Sequence, residues 1–272
     1  MSTDRDTGAE LRSLYANAGG VASIFSGKVA DYQASRPDYP RALFDALLAR
    51  VPKGSVVADI GAGTGLLTRG LLAAGYRVLA VEPNPQMRAA ADLLLGKHDA
   101  YRSVDGSAES VPTPNASLDL ITAAQAFHWF DVERARGEAQ RVLAPGGRVA
   151  LIWNDRILDD PVHIALDDVF AVFGGARRNA LVAHEERHDV PRYFAGTPVE
   201  ELSWPHEHRL DETGLEALVF SRSYMPDRQS PEGRQAAAQV GRIFAELADG
   251  ERIVVRYRTV LIIGQWPSAA IR

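Results

Sequence analysis

The stretch Asp59-Ile60-Gly61-Ala62-Gly63-Thr64-Gly65-Leu66 governs how the rest of the chain is read. Residues 55–60 before it form a β-rich run, and residues 66–74 after it have helical spacing. Glycines at alternate positions let the backbone bend sharply and approach a ligand with no Cβ in the way. A turn of this kind, at the carboxyl edge of a parallel sheet, is where α/β folds bind ligands.

Outward from that turn, strands and helices alternate. Upstream, Leu43, Phe44, Leu47, Leu48 and Val51 share one helical face, and Pro52-Lys53-Gly54 stops the helix. Downstream come a strand at 77–82, a helix at 86–94, and strands at 100–104 and 118–124. A helix at 131–143 and the turn Pro145-Gly146-Gly147 then lead into a strand at 148–154. Near-continuous apolar strands joined by helices predict a parallel sheet covered on both faces. After Asn154 the rhythm changes. Helical stretches at 162–173 and 177–188 follow, with Pro191 expected to end the second. Then come a strand at 199–210, a helix at 213–224, a loop at 226–233, a helix at 234–248 and a strand at 252–265. The expected organisation is an N-terminal helical lid (1–50), a ligand-binding core (51–154), a helical cap inserted after the fifth strand (155–197), and the remainder of a seven-stranded sheet with substrate-facing helices (198–272). Within the lid, residues 1–12 read as a frayed start. Short helices then run to Arg36-Pro37-Asp38-Tyr39-Pro40, where the prolines disfavour continuation.

Composition narrows the function. At 272 residues and 46% hydrophobic, the chain is ample for one buried α/β core. A net charge of −5 provides no basic field for phosphate backbones, which argues against a nucleic-acid partner. The absence of cysteine excludes disulfides, thiolate metal sites and a cysteine nucleophile. No run approaches the roughly 18 apolar residues of a membrane span. The first residues are polar, with Asp4, Asp6 and Glu10, so the expectation is a soluble cytoplasmic protein. Oligomeric state leaves no mark in the sequence.

The glycine turn also sorts the ligand. A nicotinamide-cofactor fingerprint, G-x-G-x-x-G, needs its third glycine at position 66, which is Leu66. A carboxylate at Asp59 is a poor neighbour for pyrophosphate but suits a cationic ligand, directly or through water. The pattern therefore favours a nucleoside without phosphates over a dinucleotide, and disfavours an NAD-dependent oxidoreductase. Val81-Glu82-Pro83-Asn84 ends the next strand, about 20 residues on, where a carboxylate accepts both hydrogen bonds of a ribose diol. After the third strand, Asp105-Gly106-Ser107-Ala108-Glu109 is either a plain loop or an adenine contact through the backbone amide of Ser107 or Ala108.

These segments, in this order, resemble class I S-adenosylmethionine-dependent methyltransferases of the type 11 group over residues 55–154. Tyr32-x-x-x-Arg36-Pro37-x-Tyr39-Pro40 and Gln125-Ala126-Phe127-His128-Trp129-Phe130-Asp131 are similar to the subgroup containing trans-aconitate methyltransferase. The resemblance implies a Rossmann-like fold and S-adenosyl-L-methionine as cofactor. It implies that Asp59, Gly61, Ala62, Gly63 and Gly65 wrap the methionine part, and that Glu82 binds the ribose beside Pro83, Asn84 and Met87. It places Gln125 and Ala126 near the methionine amino group and Arg36 on its carboxylate, while Ser107, Ala108 and Glu109 are the candidates beside the adenine from the loop reading above. The implied activity is methylation of a small-molecule acceptor, carboxylate-bearing or of secondary metabolism. Two alternatives stay open: a cyclisation with the cofactor as scaffold, and a cofactor-binding protein without turnover.

Methyl transfer from a sulfonium is an in-line displacement with a good leaving group, so the enzyme chiefly aligns the reactants and excludes water. A carboxylate acceptor needs no base, whereas a phenol, amine or carbon acid benefits from one. His128, after the fourth strand, is read either as that base or as a pocket wall. Tyr32 and Tyr39 either orient a reactant or pack the lid. Arg36 is a carboxylate clamp or a structural ion pair. Trp129, Arg222 and Tyr224 are candidate substrate contacts with structural roles as alternatives. His184-Glu185-Glu186-Arg187-His188 spells H-E-x-x-H, but with no third ligand evident it reads as a solvated helix end, and no metal is expected. His206 and His208 would share one strand face directed to solvent.

Overall fold

A computed structural model describes residue 13, residues 28–184 and residues 187–266, with nothing described for the side chains at 34 and 180–184. Of the lid expected over residues 1–50, residues 1–27 thus lie, apart from residue 13, outside the described residues. In chain order the elements are α1 (Val29–Ser35), α2 (Arg41–Leu48), β1 (Val56–Ile60), α3 (Leu66–Ala74), β2 (Arg77–Val81), α4 (Pro85–Leu95), β3 (Tyr101–Val104) and β4 (Leu118–Ala124). A short 3₁₀ turn (Phe127–Trp129) follows, then α5 (Val132–Val142), β5 (Leu143–Arg156), α6 (Pro161–Phe173), α7 (Gly175–His184), α8 (Val190–Phe194), β6 (Val199–Leu210), α9 (Glu212–Phe220), α10 (Pro231–Leu247) and β7 (Ile253–Gln265).

The sheet has seven strands in the order β3-β2-β1-β4-β5-β7-β6. The pairs β1/β2, β1/β4, β2/β3 and β4/β5 are parallel. The α/β class and the Rossmann-like mostly parallel sheet are as the sequence predicts. The chain reverses its winding at β1, flanked by β2 and β4, and the glycine turn leaves β1 at that switch point.

The described residues divide into two compact units. One runs from Tyr39 to Asn154, with Arg187–Trp204 and the residues from Thr259 onward; we call it the core unit. Its strands are apolar on both faces because both faces are covered. Val57, Val78, Leu120 and Ile152 pack with Leu43 and Leu47 of α2 and with Leu67 and Leu71 of α3. Ala58, Leu79, Ile121 and Leu151 pack on the other side with Ala135, Ala139 and Val142 of α5 and with Tyr193 and Phe194 of α8. Each fully buried leucine contributes roughly 1.5–3 kcal/mol by leaving water. The other unit comprises the described residues up to Asp38, residues from Asp155 through α7, and Pro205–Arg258. Its separate core joins Val162, Leu166 and Phe170 of α6 to Leu215, Leu218 and Phe220 of α9, Val240 of α10 and Tyr257 of β7.

Local chemistry sets the boundaries and corrects several expectations. Pro145-Gly146-Gly147 is not a turn ahead of β5 but a bulge inside it. Pairing jumps from Leu118↔Leu143 to Leu120↔Arg148, and Gly146 takes φ +84° to absorb the extra residues. Pro191 starts a helix rather than ending one, because a proline in the first turn gives up no intrahelical hydrogen bond. For the same reason α10 begins at Pro231, where Ser230 accepts from the Gly233 amide, rather than at 234. The side chains of β6 alternate, and His206 and His208 fall on its less exposed face instead of in solvent. His208 meets the Ser35 carbonyl at 2.9 Å, and His206 lies 3.1 Å from the Asp38 carboxylate.

Candidate active site

In the core unit, the loops at the carboxyl ends of β1, β2 and β4 converge through backbone contacts that leave no room for side chains. Gly61, Gly63 and Gly65 take φ of +66°, +57° and +84°, the left-handed region where glycine is unstrained. A Cβ on Gly61 would stand 2.7 Å from the Cβ of Ala126, so the loop after β1 and the loop after β4 touch at a hydrogen's width. A Cβ on Gly65 would stand 2.6 Å from Cδ1 of Leu95 on α4. The amides of Gly61 and Ala62 donate to the Val81 carbonyl at 2.8 and 3.2 Å, fastening the turn to the end of β2.

Glu82 sits where β2 ends. Its Oε2 accepts from the Gly63 amide and its Oε1 from the Asn84 amide, each at 2.9 Å. Arg88 donates to the Glu82 carbonyl at 2.6 Å and lies 3.2 Å from Asp105. A carboxylate offers about four acceptor positions, so with two amides bound it retains one on each oxygen. Two adjacent hydroxyls of a ribose match that pair. Burial raises the Glu82 carboxyl above its ordinary range, opposed by the two amides and Arg88.

Asp59 behaves differently. It is fully buried, and Thr68 of α3 and Thr122 of β4 donate to its two oxygens at 2.6 and 2.9 Å. Burial pushes its carboxyl up to about 6, opposed by the threonine hydroxyls. Asp59 staples β1 to its neighbours from below the turn, each carboxylate oxygen taken by a threonine hydroxyl.

The other candidates fall into distinct settings. Asn84 is the N-cap of α4, its Oδ1 accepting from the amides of Gln86 and Met87, while half-buried Pro83 precedes it and Met87 is buried. The Ser107 amide donates to the Ser110 carbonyl at 3.1 Å and is therefore not offered to a ligand. Ala108 is buried beside it, and the Glu109 carboxylate accepts the Asp131 amide at 2.8 Å. Gln125 adopts φ +56°, its amide donating to the Ile152 carbonyl and its Nε2 to the Asn154 carbonyl at 3.3 Å. A non-glycine residue in that region marks a loop held by its surroundings. Buried Ala126 follows, and then half-buried His128, whose ring lies 4.6 Å from that of Trp129. Tyr39 packs at the margin of the α2–α3 core.

Tyr32, Arg36, Arg222 and Tyr224 belong to the other unit. The Arg36 guanidinium lies 4.9 Å over the Tyr32 ring and donates to the Ser221 carbonyl at 3.3 Å. Arg222 lies over Phe170 at 5.5 Å, and Tyr224 meets the same ring edge-on at 5.7 Å. Of the H-E-x-x-H segment, the side chain of His184 and residues 185 and 186 lie outside the described residues. Arg187 stacks on Trp153 at 4.3 Å, and His188 is exposed. Among the described residues no group of three or more His, Asp or Glu is placed to hold a metal, and no helix is long and apolar enough to cross a membrane.

Residues 58–151, which hold all the converging loops, match the methyltransferase domain family. An uncharacterized methyltransferase of Mycobacterium tuberculosis is 32% identical over 243 residues, covering 88% of this chain and 93% of its own length. The chain belongs to the methyltransferases. A methyltransferase-like protein of Schizosaccharomyces pombe is 29% identical over 87% of this chain and 93% of its own. A solved structure from Anaeromyxobacter dehalogenans, assigned as a type II methyltransferase, is 26% identical with a TM-score of 0.61, covering 85% of this chain and 99% of that one. This methyltransferase is a class I enzyme and uses S-adenosylmethionine. The chemistry of the cradle fits that cofactor: a carboxylate with acceptor positions to spare at Glu82, and bare backbone at Gly61 and Gly63.

Three contributors escaped the sequence reading. Thr68 and Thr122 hold Asp59, and Arg88 holds the strand end that carries Glu82. The one available signal was a hydroxyl, Thr122, inside the apolar run of β4.

Proposed function

We propose that the enzyme transfers the methyl group of S-adenosylmethionine to a small-molecule acceptor that bears a carboxylate or belongs to secondary metabolism. When bound, the cofactor supplies an electrophilic methyl group on a sulfonium. Glu82 orients the ribose through its two remaining acceptor positions, with Pro83, Asn84 and Met87 shaping that side and Ala108 and Glu109 the adenine side. Gly61, Ala62, Gly63 and Gly65 admit the methionine portion against bare backbone, and Gln125 and Ala126 close it from the β4 loop. Asp59 adds negative potential beneath a cationic ligand. His128 stands two residues beyond Ala126, where an imidazole takes a proton from a protonated acceptor.

The observation that carries this reading is the fixing of Glu82 by the Gly63 and Asn84 amides at 2.9 Å each, which aims a carboxylate beside the glycine turn. The negative net charge supports a small acceptor over a nucleic acid. The test is turnover of labelled methyl donor across a metabolite panel, with S-adenosylhomocysteine measured alongside. Methylated product from a small carboxylate or phenol is the expected result. Turnover only on nucleic acid or protein would refute the acceptor class, and product without S-adenosylhomocysteine would refute methyl transfer.

A further inference from the structure

The Tyr257 hydroxyl of β7 is buried without a hydrogen-bond partner among the described residues. The Arg36 Nε shares that condition in the same unit. Such groups each cost stability unless something completes them. Arg222 stands close enough to Arg36 for their charges to oppose each other, and both guanidinia act on the Tyr257 phenol. His163, edge-on to the Tyr257 ring at 5.1 Å, fixes the ring's position. Asp160, the acid that also acts on Tyr257, is committed to capping α6 and to Arg256 at 3.0 Å. Among the described residues the hydrogen bond of the Arg36 guanidinium goes to a neutral carbonyl, that of Ser221. Two half-buried arginines with buried Nε atoms, and a buried phenol, are complementary to an anion.

We propose that Arg36, Arg222 and the Tyr257 hydroxyl form a carboxylate-binding site within this unit, suited to a small carboxylate ligand. The anion site does not rest on the methyl-transfer reading. The cofactor is a poorer occupant on charge grounds. Its sulfonium and ammonium outweigh its one carboxylate, so a pair of guanidinia would face a net cation. A carboxylate free of cations takes one fork from an arginine and one hydrogen bond from the phenol.

The test is calorimetric titration of the full chain with citrate, succinate and acetate, with inorganic phosphate as a second anion and S-adenosylhomocysteine in a separate arm. The variants are Tyr257→Phe and Arg36→Met. The expected result is carboxylate binding that weakens about tenfold or more in both variants, with S-adenosylhomocysteine affinity in Tyr257→Phe within twofold of the parent. Thermal stability of Tyr257→Phe should be equal or higher, because a buried unpaired hydroxyl is removed at constant shape. Should Arg36→Met fail to fold, Tyr257→Phe decides alone. Undetectable carboxylate binding, equal carboxylate affinity in parent and variants, or preference for phosphate overturns the site. A parallel fall in S-adenosylhomocysteine affinity in Tyr257→Phe assigns the cluster to the cofactor and overturns it also. Carboxylate binding by a parent that ignores S-adenosylhomocysteine would leave the anion site standing and sink the methyl-transfer reading.

Discussion

Replacing Glu82 by glutamine is the sharpest test of the cofactor site, because it preserves shape while changing what two fixed amides meet. In the parent, each carboxylate oxygen takes one backbone N–H, from Gly63 or Asn84, at 2.9 Å. A glutamine serves one of them with its Oε1 and opposes the other N–H with its own NH₂. One nearly buried donor is then left unsatisfied, at a cost of about 1–3 kcal/mol in stability. On the ligand side, one of two hydrogen bonds from the ribose to an ionised acceptor is lost, worth about 1.5–3 kcal/mol. That is a weakening of roughly ten- to a hundredfold in affinity. Calorimetry with S-adenosylhomocysteine reads the second quantity, and denaturant unfolding of the same samples reads the first. A folded Glu82→Gln enzyme whose affinity stays within threefold of the parent would refute the assignment of the ribose to Glu82.

Asp59→Asn should flatten the pH dependence of stability. The Asp59 carboxyl is raised to about 6 in the folded state, so the folded chain holds its proton where the unfolded chain, with a value of about 3.9, has lost it. The parent therefore loses stability as pH rises from about 4 through 6, by roughly 2–3 kcal/mol from this group, and a variant with the same slope would remove the cause. Gly61→Ala should destabilise by about 1–3 kcal/mol and abolish cofactor binding, since its Cβ would stand 2.7 Å from Ala126; adding Ala126→Gly should recover part of the stability in unfolding measurements, and no recovery would count against the contact. Asn84→Ala should cost about 1 kcal/mol through loss of the α4 cap, read by denaturant midpoint. His128→Ala should lower turnover at least tenfold with cofactor affinity unchanged, and equal rates would make it a wall residue.

The architecture of the core unit was legible because its signals are local. A strand covered on both faces is a short apolar run, and Val57 and Ala58 supply the two faces in successive residues. The positive φ of the glycines and the place of Glu82 at the end of β2 were legible for the same reason, since both follow from the local sequence. Errors arose where a residue's meaning depends on its place within an element. Pro191 disrupts a helix interior but is tolerated in a first turn, and the sequence alone does not say which applies. Pro145-Gly146-Gly147 reads as a turn until the pairing of β5 with β4 shows a bulge. The Ser107 amide looked available until its pairing with Ser110 was visible.

The two ligand assignments differ in the same way, and the difference explains what family likeness conveys here. The proposed donor cradle is made of bare backbone and one carboxylate, contributed by loops within residues 58–151, the span that the family model matches. Such a site is written in short motifs and survives wide divergence elsewhere in the chain. The anion cluster is made of side-chain termini from α1, β7 and the segment after α9, each unremarkable in its own stretch. Arg36 sat in a proline-rich turn, Arg222 past a helix end and Tyr257 in an alternating strand, and only their proximity gives them a shared chemistry. Kinship in the donor span therefore fixes the reaction and leaves the acceptor open. Exchanging Arg36, Arg222 and Tyr257 between two enzymes of like cradle should move carboxylate affinity without moving that for S-adenosylhomocysteine.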